Sequence, residues 1–228
     1  MIITVGNTKG GVGKSTIATN LACMAADRGQ DALLADCDDP QQTSSVDFTA
    51  LREANHADAP KYTCIQLAGP SVRTELLKMK PKHDMIIIDA GGRDTSSLRA
   101  ALTISDIILI PIQPRTFAVF ALENMVNIID EIRTVNPDLQ AYAFINSADP
   151  PGKGTDNDDA IKAIQERPSL TYIDTPLGNR KAFAHAVSQG LAVTELKKPF
   201  RDIKAAAEME TLFQRCFDIT PILVKARA

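Results

Sequence analysis

Only four cysteines occur in the 228 residues, and no two of them form a C-x-x-C pair. Cys23, Cys37, Cys64 and Cys216 therefore read as buried or free thiols in a reducing cytoplasm, which excludes a disulfide framework and a cysteine zinc site. The three histidines, His56, His83 and His185, are far apart and read as surface or loop residues. No apolar run approaches the ~18 residues that span a bilayer. The longest, Ile107 to Ile112, has the length of a buried strand. The N-terminus lacks a basic region followed by an apolar core, so no signal peptide is expected. Internal repeats and low-complexity blocks are absent. A net charge of -3 excludes the globally basic surface of a nucleic-acid coat, although it leaves room for a local patch.

What is present suits one α/β domain over 1–228, since 44% hydrophobic and 23% charged residues are the proportions of an ordinary globule. Short aliphatic runs predict strands at Ile2 to Val5, Ala32 to Ala35, Thr63 to Leu67, Met85 to Ile88, Ile107 to Ile112, Tyr142 to Asn146 and Leu170 to Ile173. Helical spacing between them predicts helices at Lys14 to Arg28, Thr43 to Ala54, Val72 to Met79, Thr95 to Thr103, Phe117 to Val135, Asp158 to Glu166 and Arg180 to Gln189. Continuous apolar strands with helix-length crossovers imply a three-layer, doubly wound, mostly parallel sheet covered by helices on both faces. A last stripe of Ile203, Ala207, Leu212, Phe213 and Cys216 predicts a helix packed on this domain.

Between the first strand and first helix runs N-T-K-G-G-V-G-K-S-T, Asn7 to Thr16. Glycines at the strand-to-helix turn are the setting of a phosphate-binding P-loop. Gly10, Gly11 and Gly13 let backbone N–H groups converge on phosphate oxygens, and the helix that follows presents its positive end to them. Val12 and Thr16 complete the cradle, Lys14 reaches the β- and γ-phosphates, and the Ser15 hydroxyl ligates Mg²⁺. Where the usual pattern has its first glycine this chain has Thr8, and a second lysine, Lys9, opens the run. Asp36 and Asp38 close the second strand in L-L-A-D-C-D-D-P-Q, at the carboxyl end where such sheets bind ligands. Met85-Ile86-Ile87-Ile88 runs into Asp89, the Walker B pattern that delivers a carboxylate to the metal. Ser15, Asp36 and Asp89 are thus expected around Mg²⁺, and Gly92, ending D-x-x-G, is expected to approach the γ-phosphate.

K-G-G-V-G-K-S resembles the deviant Walker A box of the ParA/MinD ATPases, which partition plasmids and chromosomes or position cellular cargo. The resemblance runs from Met1 to about Val193, and in its second half it is mainly one of layout. It implies a P-loop ATPase that uses ATP and Mg²⁺ and closes into a homodimer on binding ATP, with Lys9 crossing the interface to the partner's phosphates. In the family's D-x-D-P-Q the second aspartate, matched by Asp38, orients the attacking water, while the extra Asp39 leaves the register open. The glycines after Asp89 resemble those of small plasmid partition ATPases. Asn146 matches the family's adenine-binding asparagine, and Pro176 opens the loop that flanks the base. The residues alone leave GTP open, because Asn146-Ser147-Ala148-Asp149 echoes a guanine motif with its carboxylate in place.

The resemblance also implies a ParB-like partner, non-specific DNA bound by the dimer, and a cytoplasmic, nucleoid-associated protein. From Glu195 on, seven Lys or Arg face five Asp or Glu, and Lys197, Lys198, Arg201 and Lys204 crowd together as candidates for phosphate contacts. A MinD-like membrane switch is the competing class. It needs a basic amphipathic C-terminal helix, whereas Pro221 to Ala228 is short and opens with proline. A metabolic or redox P-loop enzyme is the third: no cysteine between Cys64 and Cys216 supplies an iron-sulfur bridge, while the motifs leave an amidoligase-like synthase open.

Overall fold

The computed structural model describes residues 1–38, 44–114, 118–150, 152 and 154–219. Its strands are β1 (Ile2–Val5), β2 (Ala32–Cys37), β3 (Thr63–Gln66), β4 (Met85–Ala90), β5 (Ile107–Ile112), β6 (Gln140–Ala148), β7 (Thr171–Tyr172) and β8 (Leu177–Gly178). The helices are α1 (Lys14–Asp27), α2 (Ser44–Asn55), α3 (Ser71–Met79), α4 (Ser96–Leu102), α5 (Ala118–Arg133), α6 (Asp156–Gln165), α7 (Lys181–Gln189) and α8 (Ile203–Ile219). All pairings are parallel, in the order β3-β2-β4-β1-β5-β6-β7, with β8 on the far end of β6. The expected doubly wound parallel sheet is what the chain forms.

Strand chemistry explains the layering. Residues of β4 and β5 are aliphatic and buried on both faces, as a strand covered on both sides requires. Met85 and Ile87 meet α1 on one face, while Ile86 and Ile88 meet α3 on the other. Ile107 and Leu109 of β5 join the α1, α7 and α8 side, and Ile108 and Ile110 join α4, α5 and α6. Chain order reverses at β1, between β4 and β5, so the crevice of this sheet opens at the carboxyl end of β1. The residues that follow β1 are the glycine run.

Two expectations are corrected here. The buried stripe of α8 is Ala205, Met209, Leu212, Phe213 and Cys216, and Ile203 is 72% exposed. Spacing from Ala205 to Cys216 keeps one face inward over about three turns, whereas Ile203 and Ala207 fall outside that arc. The two-residue β8 was not expected, because so short a pairing leaves no periodic signal. Asp39, Pro40, Gln41, Phe117 and residues 221–228 lie outside the described residues.

Candidate nucleotide site

Side chains from three strand ends hold the backbone of the glycine run. Asn7, buried just past β1, donates through Nδ2 to the Pro111 carbonyl at 2.9 Å and accepts the Lys9 amide on Oδ1 at 2.9 Å. Gln113 Nε2 donates to the Gly11 carbonyl at 3.0 Å, and Asn146 Nδ2 to the Val12 carbonyl at 2.7 Å. Gly11 and Gly13 have φ of 74° and 90°, the left-handed region that favours glycine. With the Gly11 and Val12 carbonyls bonded elsewhere, the amides from Gly10 to Thr16 make no hydrogen bond to another part of the chain among the described residues. Helix α1 begins without a side-chain cap or an acidic residue in its first turn. Its positive end is left for an anion.

Lys14 is buried and reaches back to the Lys9 carbonyl at 3.4 Å. Burial pushes its ammonium below the ordinary lysine value, against the opposing charges of Asp89 and Asp38. Gly92 rests on this loop. A Cβ there would stand 2.9 Å from Gly10 Cα and 3.3 Å from Lys14 Nζ, so only glycine lets the segment after β4 approach so closely. The neighbouring Gly91 lies against Asp38, where a Cβ would come within 2.6 Å of Oδ1.

Asp36 and Asp89 face each other across β2 and β4. Their surroundings differ. Asp36 accepts the Ser45 and Val46 amides on Oδ2 at 3.0 and 3.2 Å and the Asp38 amide on Oδ1 at 3.3 Å. Both its oxygens accept backbone amides, one from Asp38 and two from the start of α2, so Asp36 ties the end of β2 to that helix. Burial raises its carboxyl above the usual range, and those three amides pull it back. Asp89 is 1% exposed and accepts the Ser45 hydroxyl on Oδ2 at 2.7 Å, while its buried Oδ1 has no partner among the described residues. Burial pushes Asp89 up to about 7, against the Ser15 and Ser45 hydroxyls.

A buried carboxylate oxygen without a donor is costly in isolation, and a hard divalent cation removes that cost. No group of three His, Cys, Asp or Glu among the described residues would hold a metal alone. Mg²⁺ fits this pattern, because it takes one or two protein oxygens and completes its octahedron with water and phosphate. Asp89 and Ser15 would hold it. When bound, the cation supplies positive charge against the phosphate oxygens.

On the base side Asn146 is in register with Leu177, which places it beside Pro176 across β6 and β8, but the two side chains serve different surfaces. Asn146 stands over Gly13, where a Cβ would meet its Nδ2 at 2.4 Å, so its amide clamps the phosphate loop. Pro176 instead lines a cleft of about 600 Å³ with Asp149, Tyr172, Asp174 and Arg180, a cleft without phosphate-loop residues. Ser147 has φ 57°, and the β6–β8 register shifts there, bulging the chain between Asn146 and Ala148. Lys197, Lys198, Arg201 and Lys204 are all exposed around the start of α8, and their charged ends make no ion pair among the described residues. Sequence reasoning missed Asn7, Gln113 and Ser45. Asn7 was readable as the polar residue ending β1, but Ser45 carries no motif and becomes visible only through its bond to Asp89.

Fold and site together define a P-loop nucleotide-binding protein with a second lysine at the head of the loop. Residues 3–193 match the CobQ/CobB/MinD/ParA nucleotide binding domain. The chain belongs to that family, whose ParA/MinD members are P-loop ATPases. It is similar to the maintenance of carboxysome distribution protein A of Halothiobacillus neapolitanus, 29% identical with 85% of this chain and 87% of the relative covered. Protein ParA of Rhizobium radiobacter is 24% identical with 93% of each covered. Among solved structures, a putative plasmid partition protein from Borrelia burgdorferi bound to AMPPNP is 20% identical, covers 94% of this chain and 98% of its own, and superposes with a TM-score of 0.68. That last likeness is one of fold.

Proposed function

We propose that this chain is an Mg²⁺-dependent ATPase that works as a dimerising switch, binding DNA non-specifically as the ATP-bound homodimer and releasing it after hydrolysis. The observation that carries the reading is Lys9. Its backbone is tied on both sides, by the Asn7 side chain at its amide and by Lys14 Nζ at its carbonyl. Its side chain is half-buried at the mouth of the loop and has no hydrogen bond or ion pair within the described chain. A cation placed beside the phosphates, where Lys14 already serves its own nucleotide, suits action across an interface. There it stabilises charge that develops on the phosphoryl group, as an arginine finger does.

Asp38, against Gly91 and close enough to act on Lys14, is the residue for orienting the attacking water. Asn146 Oδ1 remains available to adenine, and the loop at Pro176 borders the base. Lys197, Lys198, Arg201 and Lys204 are the phosphate contacts for DNA, doubled by dimerisation. A ParB-like or adaptor protein is the partner that stimulates hydrolysis. The relative named for chromosome partitioning supports a DNA cargo, and the relative named for carboxysome distribution supports a protein assembly carried by the same switch.

Lys9→Ala tests the reading. The variant is expected to bind ATP as the wild type does while its turnover falls on the order of 10³-fold, the scale of an arginine finger. Hydrolysis at the wild-type rate would remove the trans role and with it the sandwich dimer.

A further inference from the structure

Ser45 is bonded to both acidic strand ends. Its amide donates to Asp36 Oδ2 at 3.0 Å and its hydroxyl to Asp89 Oδ2 at 2.7 Å. The residue is fully buried at the start of α2 and is fixed on every side. Its carbonyl accepts the Thr49 hydroxyl at 2.8 Å, and the next amide, Val46, shares Asp36 Oδ2 at 3.2 Å.

The far end of α2 is held as firmly. Arg52 makes a two-pronged pair with Glu195 at 2.7 and 2.8 Å and donates to the Gly190 carbonyl at 3.1 Å. Gly190 sits so close that a Cβ would come within 2.6 Å of the Arg52 backbone nitrogen. Helix α2 is therefore tied at both ends, and the Ser45 hydroxyl is presented to Asp89 from an anchored helix.

We infer that Ser45 is a positioning residue for the metal site, holding Asp89 by Oδ2 so that Oδ1, which has no donor of its own, is the oxygen offered to the cation. The inference rests on the Mg²⁺-dependent nucleotide reading above. A hydroxyl behind a ligating carboxylate fixes its rotation and keeps the second oxygen from competing for the metal. Without that hydroxyl Oδ2 loses the donor that holds it, and the carboxylate is freer to rotate.

The probe is Mn²⁺, titrated into the full chain with ADP bound and followed by the electron paramagnetic resonance signal of the free ion, so that no turnover is required. Ser45→Ala is expected to weaken Mn²⁺ uptake roughly 10- to 100-fold, the range for partners of ligating side chains. Metal-free ADP binding is expected to stay at the wild-type level, and Ser45→Thr, which restores a hydroxyl, should recover most of the Mn²⁺ affinity. Should the alanine variant fail to fold, Ser45→Cys, close in size and a weak donor, takes its place with the same expected loss. Mn²⁺ affinity unchanged in the folded variant overturns the inference, and so does a fall in metal-free ADP binding that accounts for the whole loss. A wild type that takes up no Mn²⁺ with ADP overturns the nucleotide reading beneath it as well, which separates the two failures.

Discussion

The phosphate end of the crevice and the basic patch at the start of α8 are both built from lysines, yet their neighbours treat those lysines in opposite ways. Lys14 is 6% exposed, hydrogen-bonded to a carbonyl and pushed down by burial. Lys197, Lys198 and Lys204 are exposed and unpaired among the described residues. A buried charge is a specific device, because its desolvation is offset only by the right partner in the right place. Exposed charges act by number and proximity, and salt screens them. Loss of one residue should therefore be severe at the first site and graded at the second.

The sharpest break in this comparison is Lys14→Ala. It removes a charge-assisted contact inside a desolvated pocket, so ATP affinity should fall on the order of 100-fold, measured by titration with a fluorescent ATP analogue. Near-normal affinity would mean that the amides from Gly10 to Thr16 hold the phosphates alone.

Asp38→Ala sits between the extremes. Ser15 and Asp89 are untouched, so nucleotide binding should persist, while loss of the oriented water slows hydrolysis by roughly 10² or more. ATP-bound dimer then accumulates, and light scattering with Mg-ATP should show the mass of the variant doubled. A monomer at saturating ATP would break the dimer model or transfer the role to Asp39.

Reversing Lys197 and Lys198 to glutamate should have the mildest effect and leave basal hydrolysis unchanged. Retention on non-specific duplex DNA should weaken for all sequences alike. The slope of log affinity against log salt should flatten by about 0.9 for each DNA phosphate that is no longer neutralised. Unaltered retention would move the DNA surface elsewhere, and no ATP-dependent retention of the wild type would remove the DNA mechanism.

The two regions were also unequally legible. The P-loop could be read because its physics is local: amides at Gly10, Gly11 and Gly13 converge within one turn of chain, so residue type and spacing nearly define the geometry. Asp89 was legible for a similar reason, as the charge that ends a run of four buried aliphatics. Asp36 was half legible. Its place at the end of β2 could be read, but the Ser45 and Val46 amides that it accepts come from the start of α2, whose position against β2 no local pattern describes. Asn146 was found by analogy with a base-binding asparagine, and its bond to the Val12 carbonyl, 134 residues away, is a fact of sheet order.

Composition, periodicity and the glycine run determined by themselves that the chain would form a parallel α/β sheet with a phosphate loop and one buried acidic strand end. These are properties of neighbouring residues, set by backbone freedom and by which faces are apolar. Only the tertiary structure decided that β1 lies between β4 and β5, that Gly92 presses on Gly10, and that Ser45 holds the carboxylate opposite Asp36. Each of these pairings joins segments far apart in the chain, and such partners are selected by the packing of the whole sheet, in which a buried polar atom must find its donor wherever the fold brings one.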